Sequence, residues 1–338
     1  MNEIKTLGID LSKQVFEMHG VNEHDKVVLR KRVSRGNLMN VVANLPICLI
    51  GLEACGGAHY WARRFKQLGH EVKIMPPQYV KPYVKTNKTD RADAEAICEA
   101  VRRPTMRFVG IKNLEHQDIQ SIHRIRQRLI KNRTALVNEI RGLLTEYGIT
   151  IPKGIWNVFK HLPGIIEDCP GELTTMFRLE LRELSEELFR LTEKITIYDK
   201  KVEALGKTND VCNRLQSIPG VGPISATAVF AAVGDAKNFK NGRQLAAWLG
   251  LVPRQCSTGG KERLLGISKR GDRYIRMLLV HGARSHLQTI KNKHDKRSKW
   301  ANRIAQSRGY NKACVALANK NARIIWKLMV TGESYKAA

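Results

Sequence analysis

The stretch that decides the fold is IKTLGIDLSKQVFEMHGVNEHDKVVLRKRV, residues 4–33. It contains three short runs rich in apolar and β-branched residues, at 4–10, 14–20 and 26–33. Runs of this kind in quick succession predict three strands that follow one another as a meander. The sequence ICLIGLE, residues 47–53, predicts a fourth strand.

The elements after these strands alternate between helix and strand. GAHYWARRFKQLG (57–69) predicts a helix, EVKIM (71–75) a strand, and DRADAEAICEAVRR (90–103) a second helix that Pro104 ends. Three meandering strands followed by strand–helix–strand–helix is the order of a ribonuclease-H-like sheet. We therefore predict an α/β domain of this type over residues 1–105.

The remainder is predicted to be all-α. Apolar residues recur at helical spacing over 115–147, and a second long helix is predicted over 172–205, after a Gly/Pro-punctuated break at 148–171. The pair favours either an antiparallel coiled-coil hairpin or an ordinary helical bundle. We assign 106–209 to a helical coiled-coil region and 210–338 to a compact, basic, helical C-terminal domain.

Charge is the strongest compositional signal. Lys and Arg number 58 against 31 acidic residues, a formal net charge of +27. Such an excess favours a polyanionic partner and salt-dependent binding to nucleic acid. A ribosome-associated or merely basic protein is the alternative.

Other features of the composition argue against a secreted or membrane protein. The chain has no uninterrupted apolar run of membrane-spanning length, and its N-terminus lacks the order of a secretory signal. The seven cysteines are scattered without a CxxC pair, which favours reduced thiols and a cytoplasmic location over disulfides or a zinc site.

Four carboxylates stand at positions where they can converge. Asp10 and Glu53 each end an apolar strand, and Asp90 and Asp93 lie three residues apart at the start of a helix. Magnesium prefers oxygen ligands, and two such ions can clamp both oxygens of a phosphodiester displacement. Any one of these acids alone is more often a helix cap or dipole partner. Together, in so basic a chain, they predict a Mg²⁺ site.

LQSIPGVGPISATAVFAAVG, residues 215–234, resembles a helix-hairpin-helix motif. Gly220 and Gly222 would leave backbone N–H groups free at a helix N-terminus to meet a phosphate without reading bases. A plain Gly/Pro turn between two core helices is the alternative.

A hydroxyl-bearing loop follows in RQCSTGGKERLLGISKRGDRYIR, residues 254–276. Its glycines permit close approach to phosphate, and its cations would stabilise a pentacovalent transition state. Ser257 is either a phosphate ligand or a nucleophile; no His or Asp adjoins it, so chemistry alone favours phosphate binding. The predicted nucleic-acid contacts are Gly220, Gly222, Arg254, Thr258, Gly259, Gly260, Lys261, Lys269, Arg270, Arg273 and Arg276.

Several blocks together resemble the insertion-sequence one-hundred-and-ten family of transposases, its eleven-eleven subgroup in particular, which is related to the pilin-gene invertase Piv. GIDLSK, LEACGG and KTDRADA are similar to its DEDD, RuvC-like half. IPGVG, AAWLGLVPRQ, STGGK and GISKRGDRYIR are similar to its C-terminal half. The resemblance covers essentially the whole chain.

The resemblance implies a bacterial DNA recombinase that excises an element as a circle and inserts it site-specifically, guided by a noncoding bridge RNA. Asp10, Glu53, Asp90 and Asp93 would take the DEDD positions, and a C-terminal serine would be the covalent nucleophile, which reverses the preference for phosphate binding. The subgroup's STGG or SSGG pattern favours Ser257, although an ESG pattern in other members sets Thr258 opposite the serine. Donor and target DNA, a homodimer pairing into a homotetramer, and association with the nucleoid are implied as well.

Two other functions compete with this one. A structure-selective endonuclease of the Holliday-junction-resolvase kind would need only the acids and a basic surface, with the Ser257 loop as a phosphate cradle. A non-enzymatic nucleic-acid-binding protein would leave the carboxylates unexplained. A covalent protein–DNA adduct separates the recombinase from the nuclease, and loss of cleavage in a chelator excludes the third.

Overall fold

The computed structural model describes residues 3–85, 87, 89–168, 173–290, 293 and 295–336. The chain divides into two compact units, Met1–Glu115 and His116–Ala338. The first unit is mixed α/β and the second is mostly helical. Within the described residues, no helix combines the length and the apolar character needed to cross a bilayer.

The first unit is built on a five-stranded sheet. Its strands are β1 (Thr6–Asp10), β2 (Val15–Val21), β3 (Val27–Ser34), β4 (Leu49–Glu53) and β5 (Glu71–Met75). They lie in the order β3-β2-β1-β4-β5. The first three strands pair antiparallel, and β4 pairs parallel with both β1 and β5. All five strands that the sequence predicts are present, and their order is consistent with a ribonuclease-H-like domain.

Helices cover both faces of this sheet. They are α1 (Leu38–Ala43), α2 (Ala58–Gln67), α3 (Pro77–Val80) and α4 (Asp90–Ala100), with a 3-10 turn at Lys81–Tyr83. On one face Ile9, Phe16 and Met18 of the strands pack with Trp61 and Phe65 of α2 in a buried core. On the other face α4 lies directly over β1 and β2. The sequence did not predict α1, whose six residues are too few to display a helical period.

Three helices come next, of which the first begins two residues before the second unit: α5 (Leu114–Glu146), α6 (Ile155–Asp168) and α7 (Thr175–Thr208). The two long helices run antiparallel. Arg126, in the first half of α5, donates from Nε to Asp199 near the end of α7 at 2.5 Å, whereas Tyr147, just after α5, stacks on Phe177 near the start of α7. Both long helices are thus where the sequence predicts them; their assignment as a coiled coil stays a prediction.

The break expected at 148–171 contains a helix instead. Val158, Leu162 and Ile166 of α6 are spaced four residues apart and are buried. Burial of three such side chains contributes about 1.5–3 kcal/mol each. This exceeds the roughly 3 kcal/mol cost of Pro163 inside the helix, which is why the proline does not end it.

The rest of the second unit is helical with one exception. Its helices are α8 (Asp210–Gln216), α9 (Pro223–Val233), α10 (Gly242–Trp248), α11 (Arg273–Thr289), α12 (Lys296–Arg308) and α13 (Tyr310–Thr331), with a 3-10 turn at Ala236–Asn238. Between α10 and α11, β6 (Pro253–Gln255) and β7 (Leu264–Ile267) pair antiparallel. The expectation of a wholly helical C-terminal domain is therefore wrong for this segment. The strands are only three and four residues long, too short to display an alternating pattern.

Candidate active site and nucleic-acid interface

Asp10 and Glu53 occupy neighbouring positions at one edge of the sheet. Ile9 of β1 pairs with Leu52 of β4 in parallel register, so the next residue of each strand is an acid. Both acids fall on the face that α4 covers, because Gly8 and Gly51, two residues before them, lie directly under that helix. The sheet register thus brings the two strand-end carboxylates side by side.

The start of α4 supplies the other two carboxylates. Thr89 caps the helix by accepting a hydrogen bond from the Ala92 N–H at 3.1 Å, and Asp90 and Asp93 lie in the first turn. Acidic side chains at this position are stabilised by the positive end of the helix dipole.

Two glycines permit α4 to approach the sheet closely. A Cβ at Gly8 would lie 2.3 Å from the Ala94 carbonyl oxygen, and one at Gly51 would lie 2.9 Å from Cβ of Val101. Only a residue without a side chain fits at such a distance. Glycine inside a strand is a sequence signal for close backbone approach, and that signal was available in GID and IGLE.

The result is a cluster of oxygen ligands. One carboxylate oxygen from each of Asp10, Asp90 and Asp93 lies within 4.8 Å of the others. Asp10 and Asp93 are half-buried and Asp90 is exposed. Closely spaced carboxylate oxygens that solvent can reach suit a hard divalent cation. Glu53 lies outside this group, at the adjacent strand end.

The edge of the sheet is electrostatically negative. Burial, and to a smaller extent the carboxylates of Asp10 and Glu53, raise the pKa of the Cys55 thiol. Cys55 therefore lies close enough to both acids to experience their charge. No local sequence signal marks Cys55 as part of the site, because its place beside Asp10 follows from strand pairing.

Ser257 lies at the end of a β-hairpin. Gly259 and Gly260 both have positive φ, of 55° and 75°, and the Lys261 N–H donates to the Thr258 carbonyl at 3.1 Å. A two-residue Gly-Gly loop with this geometry is a type I′ turn, which matches the twist of paired strands. Ser257 is exposed, and Gln255 Nε2 donates to its Oγ at 3.0 Å. The Gly-Gly pair is also a hairpin signal, although the prediction from sequence used these glycines only to permit close approach to phosphate.

The predicted phosphate-binding cations differ in their surroundings. Arg254 and Lys261 on the hairpin are exposed, as are Lys269, Arg270 and Arg273 beyond it. Arg276 instead is half-buried and donates from Nη1 to the carbonyls of Leu249 and Arg270, both at 3.0 Å. In this structure Arg276 thus holds the loop that carries the other cations.

The predicted helix-hairpin-helix is made by α8, a tight turn and α9. Gly220 has φ +85° and packs on α11, since a Cβ there would lie 2.7 Å from the Gly282 carbonyl oxygen. Close packing therefore accounts for Gly220, whereas Gly222 is exposed and precedes α9 as its N-cap.

A buried arginine holds this turn in place. Arg297 is 7% exposed and donates to the Pro219 carbonyl at 3.1 Å and to Asn321 Oδ1 at 2.5 Å. Its guanidinium also lies 5.5 Å from the centroid of the Tyr335 ring. No carboxylate pairs with it among the described residues. Nothing in the local sequence around Arg297 signals that it is buried.

Comparison with protein families identifies the class. The model of DEDD transposases of the IS110 type matches residues 7–149, which include the acidic cluster. The model described as transposase IS116/IS110/IS902 family matches residues 212–299, which include the turn and the hairpin. The protein is a transposase, an enzyme whose substrate is DNA.

Individual relatives make the assignment narrower. The chain is 49% identical to the transposase for insertion sequence element IS1111A of Coxiella burnetii, over 99% of this chain and 92% of the relative. It is 48% identical to a probable family 20 transposase of Pseudomonas aeruginosa, over 98% and 99% of the two chains. Identity to the transposase for IS1328 of Yersinia enterocolitica is 40%, over 98% of each. The chain belongs to the IS110/IS116/IS902 family of insertion-sequence transposases.

Proposed function

We propose that this transposase cuts and rejoins DNA through a phosphodiester bond to Ser257, with Mg²⁺ held by Asp10, Glu53, Asp90 and Asp93. A noncoding bridge RNA from the element guides it, and it works as a homodimer that pairs into a homotetramer. The observation that carries the proposal is the convergence of the Asp10, Asp90 and Asp93 oxygens within 4.8 Å.

The residues present fit a divalent metal. Three carboxylates that crowd together repel one another unless a cation or protons compensate them. Glu53 is at the adjacent strand end, from which it would complete the ligand set. Mg²⁺, when bound, supplies positive charge that stabilises the phosphoryl transition state. The carboxylates would hold the ion beside the ends of β1 and β4, and Thr89 and Gly8 keep α4 where its two acids meet Asp10.

The serine supports an exchange of phosphate esters. Oγ of Ser257 forms a bond to phosphorus, the bond from phosphorus to a deoxyribose oxygen breaks, and the hydroxyl proton passes to that oxygen. The reverse exchange rejoins DNA without a nucleotide cofactor, because the energy of the phosphodiester is conserved. The exposed cations Arg254, Lys261 and Arg263 flank the hairpin tip and would bind the negatively charged phosphate.

Two observations support the proposed RNA partner and the proposed association with further copies of the chain. A net charge of +27 suits a complex with both DNA and RNA. Large apolar side chains are exposed along α7, namely Met176, Leu179, Phe189 and Ile197. Exposed apolar groups of this size on a long helix favour a contact with another chain.

The metal site is tested by Asp10→Asn. We expect this change to abolish Mg²⁺-dependent cleavage while DNA binding stays near that of the unmodified chain, because the amide removes a ligand charge and little surface. Glu23→Gln is the matched control, since Glu23 is exposed in the turn at the opposite end of β2 from the cluster. Near-normal cleavage by Asp10→Asn would refute the site.

The serine is tested by the protein–DNA adduct. Ser257→Ala should remove both the denaturant-resistant adduct and strand exchange, and Thr258→Val should leave both intact. Gel mobility of labelled DNA after denaturation measures the adduct. The reverse pattern would move the nucleophile to Thr258. Free nicked ends with no adduct from the unmodified chain would favour the structure-selective endonuclease instead.

A further inference from the structure

The row of side chains that contains Asp10 and Glu53 continues across the whole sheet. Asp10 pairs with Glu17 of β2, and Glu17 pairs with Arg32 of β3. Directly opposite residues of antiparallel strands place their side chains on the same face. One row on the face that α4 partly covers therefore contains, in order, Glu53, Asp10, Glu17 and Arg32. Arg32 lies on β3, the edge strand of the sheet.

The preceding row has the same arrangement. Gly8 pairs with His19, and His19 pairs with Arg30, two residues before Arg32 on β3. Between the two arginines, Lys31 pairs with Met18, which is buried in the core on the opposite face. Arg30 and Arg32 thus face the metal-ligand side, and Lys31 faces away from it.

Both arginines are exposed, and of the two only Arg32 has a carboxylate partner among the described residues. Arg32 is 72% exposed, and its Nε lies 3.5 Å from Oε1 of Glu17. Arg30 is exposed and has no carboxylate partner among the described residues. The acids that face this side from α4 are engaged elsewhere, since Glu95 and Glu99 pair with Lys85 at 3.8 and 3.0 Å.

The spacing suits a nucleic-acid strand. Residues two apart on a strand are about 6.8 Å apart, which is close to one nucleotide repeat of an extended backbone. Arg32 lies two strands from Asp10, about 10 Å between Cα atoms, and its long side chain reduces the gap. A DNA strand with one phosphate at the acidic cluster therefore has its next phosphates within reach of Arg32 and Arg30 on the edge strand β3.

We propose that Arg32 and Arg30 bind successive phosphates of the DNA strand that leads into the acidic cluster, and that the ion pair with Glu17 positions Arg32. The inference rests on the proposed cleavage at Asp10, because that site defines where the strand is cut. DNA is the occupant rather than RNA, since the cut strand is the one that must pass this row of the sheet.

The first experiment measures binding alone. The unmodified chain, Arg32→Ala, Arg30→Ala and Lys31→Ala are titrated with a fluorescein-labelled DNA duplex in Ca²⁺ at several salt concentrations. Each arginine variant should weaken binding roughly tenfold and reduce the salt slope by about one phosphate contact. Lys31→Ala removes the same charge from the opposite face of the same strand and should change neither quantity. Arg32→Lys should restore part of the affinity.

The second experiment locates the phosphate. Single methylphosphonates, which lack the charge, replace each phosphate next to the mapped cut position of the element's DNA. At one position the methylphosphonate should slow cleavage by the unmodified chain and by Lys31→Ala, but should cause little additional loss in Arg32→Ala. Arg30→Ala should show this non-additivity one nucleotide further away.

Three outcomes would overturn the inference. Equal losses from Lys31→Ala and Arg32→Ala would mean a diffuse basic surface. Full additivity at every flanking phosphate would mean that neither arginine contacts the strand. Weakened binding to the element's noncoding RNA, with DNA binding unchanged, would assign the arginines of β3 to RNA.

If Asp10→Asn still cleaves while the arginine variants lose DNA affinity, the proposed metal site is wrong and the phosphate contacts stand.

Discussion

At the scale of single residues, the absence of a side chain at Gly8 determines how closely α4 approaches the sheet. Ala94 O and Cys98 N would lie 2.3 and 2.5 Å from a Cβ at this position. Both are backbone atoms, which cannot turn aside as the end of a flexible side chain can. The position of Asp90 and Asp93 relative to Asp10 therefore depends on a residue that carries no chemistry of its own.

Gly8→Ala should accordingly damage both stability and the site. We expect a loss of about 1–3 kcal/mol in the free energy of unfolding, because the added methyl overpacks a closed interface. Displacement of α4 should weaken Mn²⁺ binding, measured by calorimetry, and slow cleavage. Gly36→Ala is the control, since no atom lies within 4 Å of a Cβ there. Metal affinity equal to that of the unmodified chain would mean that α4 is not held by this contact.

At the scale of elements, a chain of buried hydrogen bonds connects four helices of the second unit. Thr227 of α9 donates to the Pro223 carbonyl at 2.7 Å, so His123 Nε2 of α5 donates to Thr227 Oγ1 at 2.9 Å. His123 Nδ1 then accepts from the Tyr274 hydroxyl of α11 at 3.1 Å. The charge of Arg126 acts on Tyr274, and its Nε donates to Asp199 of α7. The network requires a neutral imidazole, because a proton on Nδ1 would remove its acceptor.

This network should make the second unit sensitive to acid. Burial, and to a smaller extent Arg126, lower the pKa of His123 to about 4. Because folding lowers the pKa of His123 below the unfolded-state pKa of about 6.5, this histidine contributes to stability at pH values above 6.5. That contribution is lost as the pH falls from about 6.5 towards 4. The shift corresponds to about 3 kcal/mol in the free energy of unfolding.

His123→Gln should flatten this dependence. We expect chemical denaturation from pH 7 to pH 4 to show a smaller loss of stability in His123→Gln than in the unmodified chain, although the variant is less stable at pH 7. His24→Gln, at an exposed position, should retain the full loss. The same slope in all three proteins would mean that protonation of His123 does not destabilise the fold.

The hairpin between α10 and α11 is stabilised differently from the helices that surround it. Its residues are mostly exposed, so little apolar burial holds it, and the Gly-Gly turn and the carbonyl contacts of Arg276 determine its shape. An exposed hairpin surrounded by cations is a suitable place for a group that must reach a phosphate. Loops of this kind often carry function on a rigid scaffold.

At the scale of the whole molecule, the two compact units carry different groups of candidate site residues. Met1–Glu115 contains the acidic cluster, and His116–Ala338 contains Ser257 and its cations. Family models match within both parts of the chain, and relatives align with nearly all of it. The excess of 27 positive charges is large enough for the chain to bind a polyanion through many phosphate contacts.

The sequence by itself determined the strands of the first unit, the two long helices and the family. These features depend on residues near one another in the chain, through short apolar and β-branched runs such as Thr6–Asp10 and the helical spacing in Leu114–Glu146. The blocks GIDLSK, KTDRADA and STGGK could be recognised in the same way, because each is a short run of residues adjacent in the chain.

Only the tertiary structure decided which of these residues meet. Strand register places Glu17 and Arg32 in the row of Asp10, and close helix packing brings Asp90 and Asp93 to it. Register and helix approach depend on partners distant in sequence, and a slip of one residue would move Arg32 to the opposite face. The burial of Arg297 and the helix through Pro163 likewise result from long-range packing, whose free energy exceeds local preference.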